Sequence, residues 1–515
     1  MNEAFYLIDQ LIAQGVTRIC IAPGARPAPF ISVAARHPLA KTIVHYDERG
    51  LAFYALGYGK GSKTPAAIIV TSGSALGNLL PAVMEAHHSY TPLILITADR
   101  PAELRSCGAN QTTTQTNLFA PFVRFQEDLP PTLSETYFRS IAAQAFFHAT
   151  QNPPGPVHLN CQVRDLSTRP QVLSPGKPIF FPSSTIQSTP VATKASRGII
   201  AIGELPSSPR PILDLAKRLG WPVLADLLSN ARIDSTPEQI RNFDGILTTR
   251  PDLKPDFLLH FGARLTSKKI LDLKPNLHVS PYPFLQDPTR SLDGKVRSDI
   301  EPFCNTFTAG PPNPNWLKAW KEEELKISME AQFAKTKEAT EIQAMIDLAE
   351  KVPEDTALFF ANSLAIRHAE RYFFPKACQG YFGSRGLSGI DGNIATAAGI
   401  ADGCKKPLIA WVGDQTALHD LNSLPLLKKT SYPVTLIISN NFCGEIFSSL
   451  PFANWPETEK FIKAPHSLRF QKAAEMFDLP YVSLSEVSFS QSAIVELTTL
   501  REEKEPVIAS TEKGL

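Results

Sequence analysis

The chain has 515 residues, 43% of them hydrophobic, and its 51 basic and 50 acidic residues nearly cancel. Its length exceeds what one core supports, so roughly two to four domains are expected. The charge balance excludes a polyanion-binding field, which argues against nucleic acid as a partner. No apolar run approaches the roughly 20 residues of a membrane helix, so no membrane partner is expected. Seven scattered cysteines (20, 107, 161, 304, 378, 404, 443), without a CxxC pair, read as reduced and mostly buried thiols rather than a disulfide framework or zinc site. The opening MNEAFYLIDQLIAQGV is an amphipathic helix pattern containing acids. It lacks the basic start and apolar core of a signal peptide, so a cytoplasmic location is expected.

Short apolar β-rich runs alternate with helical patterns along the whole chain, which predicts parallel α/β sheets. The first group of runs is Arg18–Ile21, Ala67–Val70, Leu93–Thr97 and Val157–Asn160. A proline-rich stretch, TRPQVLSPGKPIFFPSSTIQSTP at 168–190, reads as an extended linker. A second group covers Gly198–Ile202, Pro222–Ala225, Phe257–Phe261 and Leu277–Val279, followed by a charged helix from about Trp316 to Thr340. A third covers Ala357–Ala361, Leu408–Val412, Thr435–Ser439, Tyr481–Leu484 and Val507–Ser510. The expected architecture is three doubly wound α/β domains: 1–167, then the linker 168–190, a central domain with its connecting helix at 191–340, and 341–515. The outer two open alike, each with an amphipathic helix (Phe5–Ile12; Ile342–Leu348), a strand, and a small-residue loop ending in arginine (IAPGARPAP at 21–29; FANSLAIRH at 360–368). That likeness suggests a duplicated domain flanking a different one.

The most informative segment is Pro407–Pro451. One apolar run ends in Gly413-Asp414 and a second, Val434–Ile438, is followed by Asn440-Asn441. Oxygen ligands at the tips of two buried strands suit a small hard cation such as Mg²⁺, which shares its ligands with phosphates. The glycine admits backbone close to a diphosphate, and a helix N-terminus expected after each strand would attract its charge. Asp414 and Asn441 stand 27 positions apart and resemble the metal–diphosphate motif of thiamine diphosphate enzymes. Such an enzyme needs a glutamate against the aminopyrimidine N1′, at a helix start after a strand, in mostly apolar surroundings. Glu48 in TIVHYDERGLAFYALGYGKG fits, although a carboxylate in a first helical turn is also favoured simply by the helix dipole. GYGKG at 57–61 lies inside a helical pattern and is not a dinucleotide loop.

At this point the chain resembles a named family, the 2-succinyl-5-enolpyruvyl-6-hydroxy-3-cyclohexene-1-carboxylate synthases, thiamine diphosphate enzymes of menaquinone biosynthesis. The likeness runs nearly end to end through APGARPAPF (22–30), DERGLAFYALG (47–57), TADRPAELRSCGANQ (97–111), FGARLTSKK (261–269), SRGLSGIDGNIATAAGIA (384–401), GDQTALHDLNSL (413–424) and APHSLRF (464–470). It implies a pyrimidine-binding N-terminal domain, a central domain and a diphosphate-binding C-terminal domain. By resemblance Glu48 is the N1′ glutamate, while Asp414, Asn441 and the Cys443 carbonyl hold Mg²⁺ or Mn²⁺. Gly413, Gln415 and Thr416 lie at the diphosphate, and Ile390, flanked by Gly389 and Asp391, is the apolar wedge that bends the cofactor. The implied substrates, 2-oxoglutarate and isochorismate, are anions. Their basic contacts map onto Arg26, Arg100, Lys268, Lys269, Arg367 and Arg385, with Gln111 and Ser363 as polar contacts. Ile446 and Phe447 form the apolar wall near the thiazolium, and a homodimer or dimer of dimers is implied. Isolated loop arginines are otherwise commonly solvated, and Cys107 and Cys161 read as packing residues.

The chain departs from the family at Ala25, where serine is usual, at Lys269, where arginine is usual, and at NNFCGE, which replaces a glycine-rich NNNGG run. A backbone carbonyl ligand at 443 tolerates a side chain only at negative φ, and Glu445 brings an extra negative charge. A different thiamine diphosphate enzyme, acetolactate synthase-like or a 2-oxoacid decarboxylase, would explain the metal motif and Glu48 but not the basic set. A non-catalytic paralogue is the other alternative, kept open by Ala25 and NNFCGE.

Overall fold

The computed structural model describes residues 2–131, 134–182, 184–333 and 341–499. The run expected at Val507–Ser510 lies outside the described residues. Among the described residues, seventeen strands form three sheets. In the first, β1 (Arg18–Ile21), β2 (Lys41–Val44), β3 (Ala66–Val70), β4 (Leu93–Asp99), β5 (Phe125–Leu129) and β6 (Pro156–Gln162) take the order β2-β1-β3-β4-β6-β5. In the second, β7 (Gly198–Ile202), β8 (Val223–Ala225), β9 (Phe257–Phe261), β10 (Leu277–Ser280) and β11 (Gly294–Arg297) take the order β11-β10-β9-β7-β8. In the third, β12 (Ala357–Phe360), β13 (Tyr381–Phe382), β14 (Leu408–Gly413), β15 (Val434–Asn440), β16 (Tyr481–Val482) and β17 (Ala493–Thr498) take the order β13-β12-β14-β15-β17-β16.

Every pair in the first two sheets is parallel, as are both edge pairs of the third. Numbered within each sheet, the outer two share the order 2-1-3-4-6-5, whereas the middle one reads 5-4-3-1-2. The faint likeness of the two opening loops therefore extends to whole-sheet topology. By packing, the described residues of 1–183, 384–438 and 467–496 make one compact body, and those of 184–383, 439–466 and 497–515 a second.

Central strands are buried along their whole length: β3 reads AAIIV and β4 LILITAD without an exposed position, because helices cover both faces. The middle sheet is likewise packed on both faces, by Phe261, Phe303 and Trp221 on one and by Phe243, Ile246 and Trp320 on the other. The stretch expected as a linker has neither helix nor strand over its described part, yet side chains of the first helix, Glu3–Ala13, tie it down. Gln10 Nε2 donates to the Lys177 carbonyl at 3.1 Å, Asp9 Oδ2 accepts from Gly176 N at 2.9 Å, and Gln14 exchanges bonds with Ile179. All seven cysteines are free thiols, five of them buried. Cys107 is exposed, so the expectation that it packs is corrected, and its Sγ donates to the Leu104 carbonyl.

One helix contact in the first body sets the backbone near the site. Helices Glu48–Ser62 and Asn393–Cys404 each follow the second strand of their matching sheets, and they cross at glycines. A Cβ on Gly57 would lie 2.1 Å from the Thr396 carbonyl oxygen, and one on Gly61 2.7 Å from that of Ile400. Reciprocally, a Cβ on Gly399 would lie 1.9 Å from the Tyr54 carbonyl oxygen and one on Gly403 2.5 Å from that of Tyr58. The GYGKG run thus serves backbone-to-backbone helix packing. Gly399→Ala should force the helices apart at an overpacking cost of about 1–3 kcal/mol. A lowered thermal midpoint is the expected reading, and a melt identical to wild type would show that the crossing yields freely.

Candidate functional site

The outer sheets reverse strand order between their first and third strands, and ligands of open α/β sheets bind at the carboxyl ends beside such a reversal. In the first sheet these ends carry Arg26 after β1, Ser72-Gly73 after β3, and Asp99-Arg100 at β4. Arg100 is buried, donates to Ser72 Oγ, and has its backbone N–H on Asp99 Oδ1 at 2.7 Å. Gln111, held at φ +58°, donates from Nε2 to the Ser72 carbonyl at 2.9 Å. Arg26 donates to the Val163 carbonyl at 3.0 Å, and its pKa is lowered by burial first and by the Arg100 charge second. Among the described residues no carboxylate forms an ion pair with either guanidinium. The Asp99 carboxylate acts on Arg26 at longer range, yet two coupled cations without a directly paired carboxylate favour an anionic ligand, and arginine offers carboxylates paired hydrogen bonds.

Beneath this pair lies a polar network that the sequence did not reveal. Asp99, fully buried, receives Arg105 at 2.8 Å and Asn160 Nδ2 at 3.0 Å. Arg105 also spans to Asp128 at 2.8 Å, and Gln115 bridges Asn160 Oδ1, the Ala98 carbonyl and the Gly73 N–H. The Arg105 and Asn160 bonds outweigh burial at Asp128 and hold its pKa below the ordinary carboxylate value. Asp99 and Arg105 stand inside TADRPAELRSCGANQ, but their pairing with residues of β5 and β6 is tertiary information. The network fixes the loop that presents Arg100 and Gln111.

Glu48 is the first residue of its helix, whose start is capped by Asp47 accepting from Arg49 N at 2.9 Å and Gly50 N at 3.4 Å. Asn78 Nδ2 reaches Glu48 Oε2 at 3.5 Å. Apolar enclosure was expected here, but within its own body Glu48 is only half-buried. It sits beside edge strand β2, with Val44 and Tyr46 exposed at 46% and 56%. The same body holds Gly389 and Asp391, half-buried, Ile390, exposed, and Arg385 ahead of them, half-buried. At the end of β14, Gly413 has open space where a Cβ would stand, and Asp414 is buried with Oδ1 accepting from Gln415 N at 2.6 Å; Thr416 is buried in the same turn.

The second body carries the remaining candidates. Asn441 follows β15, which neighbours β14 in the third sheet. No helix starts there, correcting the expectation of a helix N-terminus after that strand. The chain instead makes a tight loop and a 3-10 turn, Glu445–Ser449, because Phe442 takes φ +63° and Asn440 Oδ1 and Asn441 Oδ1 accept from Phe442 N and Cys443 N at 3.1 and 3.2 Å. Cys443 is not among the positive-φ residues, so the condition for a side chain there is met, and the left-handed residue is Phe442. Ile446 and Phe447 lie half-buried in the turn, with Phe447 against Phe452 at 6.4 Å. Ser363, at φ +69°, precedes helix Leu364–Tyr372, and Arg367 donates to its carbonyl at 2.6 Å. Lys268, exposed, and Lys269, half-buried, open a short helix after Ser267, whose Oγ bonds Asp244; Arg371 donates to the same Asp244 at 3.1 Å.

Among the described residues no group of three or more His, Cys, Asp or Glu could hold a metal. The donors at the tips of β14 and β15 are a carboxylate, an amide and backbone, hard oxygens of the kind Mg²⁺ takes alongside phosphates. The half at β14 fits the group: the space at Gly413 is open to backbone approach, and Asp414 is the buried carboxylate.

Comparison with known proteins gives the family. Residues 1–120 match the family model described as thiamine pyrophosphate enzyme, N-terminal TPP binding domain, and residues 183–360 match the middle domain of thiamine pyrophosphate. The fold and these matches define a thiamine diphosphate enzyme. A 2-succinyl-5-enolpyruvyl-6-hydroxy-3-cyclohexene-1-carboxylate synthase of Salinibacter ruber is 35% identical over 92% of this chain and 88% of its own length. One of Rubrobacter xylanophilus is 35% identical over 92% and 89%. The chloroplastic protein PHYLLO of Arabidopsis thaliana is 31% identical over 95% of this chain, which spans 33% of PHYLLO. The chain belongs to the 2-succinyl-5-enolpyruvyl-6-hydroxy-3-cyclohexene-1-carboxylate synthase family. No helix among the described residues is long and apolar enough to cross a membrane.

Proposed function

We propose that the chain decarboxylates 2-oxoglutarate and adds the resulting succinyl-semialdehyde unit to isochorismate by 1,4-addition, forming 2-succinyl-5-enolpyruvyl-6-hydroxy-3-cyclohexene-1-carboxylate for menaquinone biosynthesis. When bound, thiamine diphosphate supplies a nucleophilic carbon and an electron sink for the pair released as carbon dioxide leaves. Glu48 holds the proton at the aminopyrimidine N1′. Asp414, Asn441 and the Cys443 carbonyl hold Mg²⁺ or Mn²⁺, with Gly413, Gln415 and Thr416 at the diphosphate. Gly389, Ile390 and Asp391 present the wedge, and Ile446 and Phe447 exclude water from the reacting carbon. Arg26, Arg100, Arg385, Arg367, Lys268 and Lys269, with Gln111 and Ser363, orient the substrate carboxylates and stabilise developing enolate charge. On this reading 1–167 is the pyrimidine-binding domain, 191–340 the central domain and 341–515 the diphosphate-binding domain. A homodimer or dimer of dimers is part of the reading, supported by the half-bare Glu48 beside exposed Val44 and Tyr46.

The observation that carries the substrate assignment is the Arg26–Arg100 pair, two coupled guanidiniums with no carboxylate in ion-pair contact among the described residues. A coupled assay with both substrates tests it. Isochorismate consumption should require 2-oxoglutarate, thiamine diphosphate and Mg²⁺ together, with carbon dioxide released from 2-oxoglutarate and not from pyruvate. Release from pyruvate without use of isochorismate would assign an acetolactate synthase-like reaction, and calorimetry without cofactor binding would assign a non-catalytic protein.

A further inference from the structure

The loop after β15 contains a charge that needs explaining. Glu445 stands two residues beyond Cys443, and its Oε2 accepts from the Cys443 thiol at 3.2 Å. A carboxylate this close to a position that would hold Mg²⁺ and a diphosphate adds repulsion toward the phosphates. The side chain is not left to solvent, being only 13% exposed. Its second oxygen, Oε1, accepts from Ser448 Oγ. Among the described residues its cation comes from a distant part of the same loop: Lys463 Nζ lies 3.6 Å from Glu445 Oε2, with the lysine side chain 11% exposed.

The backbone clamps the two residues together. Gly444 N donates to the Lys463 carbonyl at 2.7 Å, and His466 N donates to the Phe442 carbonyl at 2.9 Å. The Phe442 and His466 rings meet edge to face at 6.0 Å. These contacts close the segment 442–466 into a ring that holds the Lys463 backbone beside the Glu445 turn. Lys463 also reaches Glu459 Oε2 at 3.1 Å, but that carboxylate is 51% exposed and largely screened.

We propose that Lys463 is a positioning residue of the metal–diphosphate loop, neutralising Glu445 so that this unusual loop keeps the charge balance a bound Mg²⁺–diphosphate requires. The proposal rests on the function proposed above. It makes Glu445 and Lys463 a compensating pair: neither residue matters much when both are absent, whereas Lys463 matters a great deal while Glu445 is present.

Isothermal titration of the full chain with thiamine diphosphate in excess Mg²⁺ tests this on wild type, Lys463→Met, Glu445→Gln and the double variant. Lys463→Met should weaken binding on the order of tenfold, less at high salt, because it leaves one uncompensated charge. Glu445→Gln should bind as tightly as wild type or tighter, and the double variant should return to within about threefold of wild type. Glu459→Gln should change nothing. Wild-type affinity in Lys463→Met overturns the proposal. A double variant as weak as Lys463→Met overturns it too, since the lysine would then act alone. Weak binding by Glu445→Gln overturns it in a third way, making Glu445 a ligand rather than a compensated charge. Thermal melts of the cofactor-free variants separate misfolding from binding, and Lys463→Arg, which keeps the charge, should rescue affinity if Lys463→Met folds poorly. Wild type that fails to bind would instead remove the underlying functional reading, a result no variant comparison can mimic.

Discussion

Glu48→Gln should lose about a thousandfold or more in turnover while still binding thiamine diphosphate and Mg²⁺, since positioned proton transfer contributes about 10²–10⁴-fold. Glutamine matches glutamate in shape, so contact with Asn78, now 3.5 Å from the carboxylate, survives. The helix start also survives, because its cap is the neighbouring Asp47. What glutamine lacks is the ability to hold a proton at N1′ and return it. The stability cost should be small, because a charge in a first helical turn contributes only about 0.3–1 kcal/mol. The coupled assay reads the loss, and calorimetry on the same protein reads retained binding. Turnover near wild type would take Glu48 out of the chemistry. Loss of both turnover and binding would give it a structural role in holding the cofactor.

The sequence made the interior of the fold legible and its margins illegible, for one physical reason. Strands β3, β4, β9, β14 and β15 lie between covered faces, so their residues are almost all buried and mostly apolar and announce themselves. The edge strands β2, β5 and β11 read KTIV, FQEDL and GKVR, half polar because one side meets solvent, and no apolar run marks them. β17 was missed as well: its apolar start, AIV, is short and passes straight into Glu496. Single positions were legible where an apolar strand leads into them, as at the buried Asp414 after β14. Roles that need a partner far along the chain were not. Gly57 acquires meaning only from the Thr396 backbone and Gly399 only from that of Tyr54, as Asp99 does only from Asn160 and Arg105. Glu445 read in isolation is an unwelcome charge, and Lys463 changes that reading.

Asp420 belongs to the same class, and removing it should have the second largest effect. The residue was visible in GDQTALHDLNSL without a role. In the structure its Oδ2 accepts from Ile394 N at 2.8 Å and Ala395 N at 3.1 Å, and its Oδ1 from Ser423 Oγ at 2.7 Å. It therefore caps helix Asn393–Cys404 from outside, where the helix's own cap position is Gly392 and offers no side chain. Gly389, Ile390 and Asp391 lie immediately upstream, so this carboxylate anchors the loop proposed to present the wedge. Asp420→Ala leaves two buried N–H groups without an acceptor, at about 1–3 kcal/mol each, and should lower cofactor affinity about 10–100-fold, as loss of a supporting contact does.

Asp420→Asn should behave differently, because an amide oxygen can face both N–H groups while its nitrogen faces Ser423. Burial pushes the Asp420 pKa up to about 6, against the bonds from Ser423 and Ala395 N that favour its charged form. A carboxyl whose folded pKa lies above its unfolded value of about 3.9 binds more protons when folded between those pH values. Its contribution to stability is fully present below about pH 4 and is lost as pH rises through about 6, a change of about 3 kcal/mol. Asparagine does not titrate, so the stability of Asp420→Asn relative to wild type should grow between pH 4.5 and 7.5 and then level off. Chemical denaturation of both proteins across that range reads the difference directly. If the gap instead moves in favour of wild type as pH rises, the charged carboxylate is the stabilising form, and the anchor works by attraction to the helix N-terminus rather than by hydrogen-bond geometry alone.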